Sequence, residues 1–275
     1  MSALHCGRFR LSLDRPLIMG IVNLTPDSFS GDGVGDDVAR AIAHARVQLE
    51  AGADILDLGA ESSRPGAPPV AARDELARLL PVLRALRDCG VPVSIDTIKP
   101  EVMRAALAEG AAMINDIAAL TAPGAIEAVA ASDAAVCLMH MQNDPHTMQQ
   151  NPHYGDVVAE VAAFLRARAA ACEAAGIDGS RIVLDPGFGF GKTLEHNLAL
   201  LRAFPDLAAL GYPVLAGLSR KSMLGAITGR PVEQRAPASI AAAMLAVQKG
   251  AAIVRVHDVA ATKDALSVLN TVENK

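Results

Sequence analysis

The chain has 275 residues, 51% of them hydrophobic, enough to bury a large core and incompatible with a disordered protein. Lys and Arg number 25 against 30 Asp and Glu, a formal net charge of −5, so neither nucleic acid nor an anionic membrane is an expected partner. With six Phe, two Tyr and no Trp, the core must be aliphatic.

The segment from Met1 to Leu13 lacks the continuous apolar stretch of a secretion signal. Phe9, Leu11 and Leu13 instead alternate with Arg8, Arg10 and Ser12, the period-two pattern of a half-buried strand, so a short N-terminal β-strand or hairpin extension is expected. The run 17–23, closing on Asn23, is the first of eight short apolar segments that end on or beside polar residues. The others lie within 49–57, 89–96, 109–115, 134–139, 181–185, 211–216 and 250–255. Ala-rich amphipathic stretches and brief turns, several with a glycine (Gly52, Gly90, Gly110, Gly250), separate them. Nearly continuous apolar runs suit strands buried on both faces, and helices between them impose parallel crossovers. Eight such units predict an α/β fold, a (β/α)8 TIM barrel, as a single domain over residues 1–275. An open doubly wound sheet is the rival arrangement.

The stretches after the first, second and fifth strands (24–35, 59–70 and 140–155) are long, and barrel enzymes keep their chemistry in loops at strand C-termini. No apolar run reaches the roughly 18 residues of a membrane span. Cys6, Cys89, Cys137 and Cys172 form no Cys-x-x-Cys pair and read as reduced thiols of a cytoplasmic protein.

Strand ends supply Asn23, Asp57, Asp96, Asn115, His140, Asp185, Ser219, Arg255 and His257. A lone Asp there is commonly a helix N-cap, but caps do not account for carboxylates, amides and cations together. Arg64, Lys221, Arg255 and His257, with a helix expected to start near Ser222, suit a phosphate or diphosphate unless ion pairs with Asp185 or Asp258 consume them. Asp96 and Asp185 are expected deeper, where acceptor-only carboxylates match neighbouring N–H donors such as an aminopyrimidinone edge, and Asn115 can donate and accept. General acid–base work suits the same carboxylates, and residue types leave both readings open.

Three other motifs fail on spacing or partners. In the stretch from Asp185 to Thr193 the first glycine stands one residue too close to Gly191-Lys192 for a Walker loop, and the Gly-x-Gly-x-x-Gly spacing is missing. His140, His146 and His153 lack a second ligand cluster for zinc. Asp144-x-His146 resembles a corrinoid signature, but Gln149 stands where its glycine should be.

Seven motifs, in order and in register, resemble the dihydropteroate synthase family: 20–30 (GIVNLTPDSFS), 61–66 (ESSRPG), 94–97 (SIDT), 115–117 (NDI), 185–192 (DPGFGFGK), 219–222 (SRKS) and 255–259 (RVHDV). The resemblance runs from about Leu17 to the C-terminus. It implies a folate-pathway transferase that joins 4-aminobenzoate to (7,8-dihydropterin-6-yl)methyl diphosphate, releasing diphosphate and 7,8-dihydropteroate. It further implies Asp96, Asn115, Asp185 and Lys221 as pterin contacts. Asn23, Arg64, Arg255 and His257, with Ser63 close by, correspond to the diphosphate and Mg2+ end. Pro65, Phe190, Lys221 and Ser222 correspond to a 4-aminobenzoate pocket, which sulfonamides occupy in this family. A cytoplasmic homodimer is implied as well.

The chemistry fits an SN1-like path, since an electron-rich pterin stabilises a developing methylene cation and the weakly nucleophilic arylamine captures it. Asp96, Asp185 and Lys221 are the expected catalytic residues, with the first two loops excluding water. Departures are few. Ser30-Gly31-Asp32-Gly33 is one glycine longer than the common pattern, Ala60 replaces a frequent glycine, and Ser63 stands where threonine is common. The alternatives are a pterin-dependent methyltransferase barrel and a non-catalytic pterin-binding paralogue. Phe29, Phe188 and Phe190, half of the six phenylalanines, fall in motif loops and are expected beside a planar substrate.

Overall fold

The computed structural model describes residues 3–24, 34–62, 67–144 and 147–273. An antiparallel hairpin opens the chain, β1 (Ala3–Cys6) with β2 (Phe9–Ser12), Leu4 facing Leu11 across the pair. Eight parallel strands follow: β3 (Leu17–Asn23), β4 (Ile55–Gly59), β5 (Val93–Asp96), β6 (Met113–Asp116), β7 (Ala135–Met139), β8 (Ile182–Asp185), β9 (Leu215–Ala216) and β10 (Ile253–Val256). Their spatial order is β8-β7-β6-β5-β4-β3-β10-β9. The ring is completed by a bridge between Leu184 and Val214 and by Leu184 N donating to Pro213 O at 3.0 Å. Every barrel strand falls within or against a run expected from sequence, and the closed barrel rather than the open sheet is observed.

Alternation along the strands sorts the apolar side chains into two layers. In β6, for example, Met113 and Asn115 belong to the interior while Ile114 packs outward under the helices. The barrel floor is Leu17, Met19, Ile55, Met113, Ala135, Cys137, Val183, Leu215 and Ile253, and Leu4 and Cys6 of the hairpin seal it from below. Gly7 N donates to Asp133 O at 3.0 Å, pinning the hairpin to the strand N-terminal face. The second layer joins strands to helices such as α1 (Val34–Glu50), α2 (Ala72–Leu86) and α3 (Pro100–Ala108). Along α2 the buried residues Glu75, Leu79, Val82, Leu83 and Leu86 trace one stripe at helical spacing.

After α4 (Ala125–Ala130), the chain reaches α5 (Val157–Ala174), whose cap is Asp156, accepting from Val158 N at 3.0 Å and Ala159 N at 3.1 Å. α6 (Leu194–Arg202) begins with a capping box between Thr193 and His196. The short α7 (Phe204–Ala208) follows, then α8 (Ser222–Thr228), α9 (Ala236–Gln248) and α10 (Val259–Glu273). Helix-to-strand turns close on glycines at positive φ, +94° at Gly52 and +102° at Gly250, where side chains other than glycine are strained.

Candidate active site

Above the apolar floor the inward positions of the strands become polar. Asp57 on β4 is fully buried and Asn115 on β6 nearly so, and Asn115 Nδ2 donates to Asp57 Oδ2 at 3.1 Å. Arg255, from β10, donates through Nε to the same Asp57 oxygen at 2.6 Å and through a terminal nitrogen to Asp96 Oδ2 at 2.9 Å. Four side chains from four strands thus form one network, with the guanidinium between two carboxylates. Ser94 pairs with Asp57 in the β4–β5 register; its Oγ and Asp57 Oδ1 are buried and without a hydrogen-bond partner.

Asp185 ends β8. Its Oδ1 accepts from Gly187 N at 2.7 Å, while Oδ2 has no partner among the described residues. Among the described residues Asp96 is likewise engaged through one oxygen, Oδ2. Burial raises both carboxyls above the ordinary range; Arg255 opposes this at Asp96, and the Gly187 hydrogen bond, Lys221, Lys192 and Arg255 oppose it at Asp185. Each therefore keeps a free acceptor oxygen in a partly dry, cation-rich mouth.

Lys221 precedes α8, which begins at Ser222 as expected. Its Nζ lies 4.0 Å from the centroid of the Phe190 ring. Burial, with Arg255 nearby, lowers the Lys221 pKa to about 8, against the pull of Asp185 and Asp96. Phe190 closes a small apolar cluster with Ile117, Met139 and Met148. Asn23 ends β3 opposite Gly59, and its side chain makes no hydrogen bond among the described residues.

Several expectations change in detail. Arg255, assigned to the diphosphate end, is bonded to Asp57 and Asp96, because its strand position aims the guanidinium across the barrel. The alternative that ion pairs consume the mouth cations is met at Asp258 by Arg220 instead, at 2.8 Å, and among the described residues Asp258 pairs with neither Lys221, Arg255 nor His257. His257 was grouped with the cations, but burial together with Arg220 and Arg255 lowers its pKa to about 4, leaving a neutral ring whose Nδ1 lies 2.9 Å from Ser219 Oγ. Phe188 does not face the site: it is buried against Phe204, rings stacked with centroids 6.3 Å apart. His140 Nδ1 lies 3.0 Å from Lys192 Nζ, and burial, with Lys192 nearby, lowers the imidazole pKa to about 3. Among the described residues no three of His, Cys, Asp and Glu form a metal cluster. Ser63, Arg64, Pro65, Phe29, His146 and the 30–33 stretch lie outside the described residues.

Two members of the site were not singled out from sequence. Asp57 was visible as a polar strand end, but its tie to Arg255 spans 198 positions. Lys192 falls in the family motif 185–192 without a role assigned to it from sequence, whereas it is 3% exposed and the 185–192 loop folds around it.

Residues 19–257 match the family model described as "Pterin binding enzyme". A dihydropteroate synthase from Neisseria meningitidis serogroup C is 56% identical over 267 residues, 95% of this chain and 94% of that protein. Two solved structures superpose closely. Burkholderia cenocepacia dihydropteroate synthase complexed with 7,8-dihydropteroate has a TM-score of 0.91 at 54% identity, covering 98% of this chain and 96% of that one. The Xanthomonas albilineans synthase with 4-aminobenzoic acid has a TM-score of 0.93 at 52% identity, covering 100% of this chain and 99% of the other.

Proposed function

This chain belongs to the dihydropteroate synthase family of pterin-binding enzymes, and we propose the following division of labour among its residues. The reaction is the condensation of (7,8-dihydropterin-6-yl)methyl diphosphate with 4-aminobenzoate to 7,8-dihydropteroate and diphosphate, a transferase step of folate biosynthesis. One observation carries the residue assignment: Asp96 and Asp185 each present one unengaged carboxylate oxygen in a mouth where Asn115 also sits. Two acceptors and an amide match the N–H donors and carbonyl of an aminopyrimidinone ring.

The C–O bond to diphosphate breaks first, and charge develops on the pterin methylene. The carboxylates of Asp96 and Asp185 hold the ring and stabilise that cation electrostatically, in a site where burial strengthens every charge interaction. Lys221 and Arg255 balance the negative charge of pterin site and leaving group. Phe190, with Lys221 over its ring, supplies a flat wall for the arylamine, and Ser222 and Pro65 are assigned to the same subsite. The arylamine nitrogen forms the new C–N bond and loses its proton to water at the mouth. Ser63, Arg64 and His257 complete the diphosphate end.

Mg2+ is assigned to the same end, and the donor set fits it. Asn23 offers an amide oxygen that makes no hydrogen bond among the described residues, and Mg2+ is commonly held by one or two hard protein ligands together with phosphate oxygens and waters. Bound there, it would neutralise charge on the departing diphosphate.

A homodimer fits the outer surface. Leu245 on α9 and Val268 and Val272 on the adjacent α10 are 48%, 62% and 70% exposed, aliphatic side chains that a second subunit would cover. No helix among the described residues is long and apolar enough to cross a membrane. Four free cysteines, three of them buried, suit the cytoplasm.

The assay supplies dihydropterin methyl diphosphate, 4-aminobenzoate and Mg2+ and follows diphosphate release together with dihydropteroate formation. Both products are expected in equal amounts; failure of both to form would overturn the reading.

A further inference from the structure

The loop from Asp185 to Lys192 is folded around the amine of its own last residue. Lys192 Nζ donates to Gly187 O and Phe190 O, both at 2.9 Å, and to His140 O at 3.3 Å, and lies 3.0 Å from His140 Nδ1. Among the described residues no carboxylate is within ion-pair distance of it. A buried amine in that position must draw its solvation from backbone dipoles. The two loop carbonyls bracket Phe190, and Phe190 N returns a hydrogen bond to Gly187 O at 3.1 Å, so the whole turn converges on one nitrogen. The turn also packs tightly: at Gly187, φ +69°, a Cβ would sit 1.9 Å from His140 O.

On the other side of the turn the Phe190 ring carries Lys221 at 4.0 Å. Two lysines therefore grip the loop, one from inside the protein and one from the substrate side. We propose that Lys192 is a positioning residue for the 4-aminobenzoate subsite, its amine fixing the 187–190 turn that aims Phe190 at Lys221. This rests on the assignment of Phe190 and Lys221 to that subsite. Other ties hold the loop independently: Asn197 Oδ1 accepts from Gly189 N at 2.8 Å, and Tyr154 donates to Gly191 O at 2.9 Å. Loss of the amine should accordingly displace the turn, because the carbonyls of Phe190 and His140 lose this donor and Gly187 O is left with Phe190 N, while the fold persists.

The test is a kinetic cycle on the full chain with both substrates: wild type, Lys192→Met, Phe190→Ala and the double variant, each with its Tm recorded. Lys192→Met is expected to raise KM for 4-aminobenzoate about tenfold while KM for the pterin diphosphate stays within about threefold. The double variant is expected to be no worse toward 4-aminobenzoate than Phe190→Ala alone, because both changes act through one ring. Equal losses on both substrates, or additive effects, would overturn the proposal. Should Lys192→Met not fold, Lys192→Arg takes its place. A guanidinium spreads its donors over a planar fork that cannot gather these acceptors around one nitrogen, so the same split is expected and the same results overturn it. A wild-type chain that forms no dihydropteroate would sink the functional reading and this inference with it; a wild type that turns over alongside variants with unsplit KM values sinks this inference alone.

Discussion

Asp57 and Arg255, 198 positions apart, meet across the barrel at 2.6 Å, and the network with Asp96 and Asn115, the proposed pterin site, is built on that contact. Asp57 is fully buried, so its charge is compensated inside the protein by Arg255 Nε and Asn115 Nδ2. Arg255 in turn reaches Asp96, and the three ionised groups fix one another's orientation before any substrate arrives.

Replacing Asp57 by Asn leaves Arg255 partly unpaired and lets Asn115 turn. Asp96 still holds the guanidinium, so a stability loss of about 2 kcal/mol is expected, below the roughly 3–5 kcal/mol of a fully orphaned buried charge. Pterin binding should weaken by more than tenfold, to be read by titration calorimetry. Unchanged affinity would reduce Asp57 to a packing role.

Asp185→Asn keeps the shape and the Gly187 hydrogen bond but removes the charge facing the methylene cation. Turnover is expected to fall by about 100-fold or more, in the range seen when one preorganised electrostatic contact is lost. Near-wild-type turnover with unchanged pterin affinity would contradict the assignment.

Phe190→Ala removes the wall under Lys221. The ring is 9% exposed and at the rim of its cluster, so the stability cost should stay near 2 kcal/mol, less than for a Phe lost from a sealed core. KM for 4-aminobenzoate is expected to rise about tenfold. A large fall in Tm with unchanged KM would make Phe190 a purely structural residue.

Lys221, with its pKa lowered to about 8, should impose an alkaline limit. Above that pH the cation is lost and kcat/KM should decline. In Lys221→Arg the group stays charged to much higher pH, so whatever activity remains should have its alkaline limb displaced upward. Identical limbs would assign the titration elsewhere.

Lys192 makes a separate prediction about stability. Burial holds its pKa at about 7, against 10.5 when unfolded. Between those values the unfolded chain carries the proton and the folded chain does not, so unfolding takes up a proton and stability rises with pH across the window. The penalty is complete below the lower value and gone above the upper one. Lys192→Met has no such proton, so urea melts at about pH 6, 8 and 10 should show the wild type gaining on the variant as pH increases. A gap independent of pH would mean that the amine titrates normally.

Much of this molecule was readable from sequence because the barrel repeats one local rule. Runs such as Ile182–Asp185 are too apolar for any place but a strand covered on both faces, and turn glycines such as Gly52 and Gly250 mark where each helix gives way to a strand. Asp96, Asn115 and Asp185 were recognisable because a polar side chain ending such a run has to project into the mouth. What escaped was pairing. Nothing local says that Asp57 will be neutralised by a guanidinium on the last strand, and an Asp ending a strand can equally serve the turn that follows, as Asp116 does by accepting from Ala118 N and Leu120 N at 2.7 and 2.8 Å. His257 and Phe188 misled for the same reason. A residue type declares its chemistry in water, while burial decides whether a histidine is charged or a ring is available.

The ring of strands also has a seam. β8 and β9 meet through the Leu184–Val214 bridge and little else, whereas β10 and β3 share four register pairs. A chain divided in the turn at Gly211 would part along that seam on one side. The larger piece would keep Asp57, Asp96, Asn115 and Asp185, and the smaller would keep Lys221, Arg255 and His257. Neither fragment alone would hold both the acceptors and the cations, so the severed halves should behave as a complementation pair, silent apart and active once β10 finds β3 again.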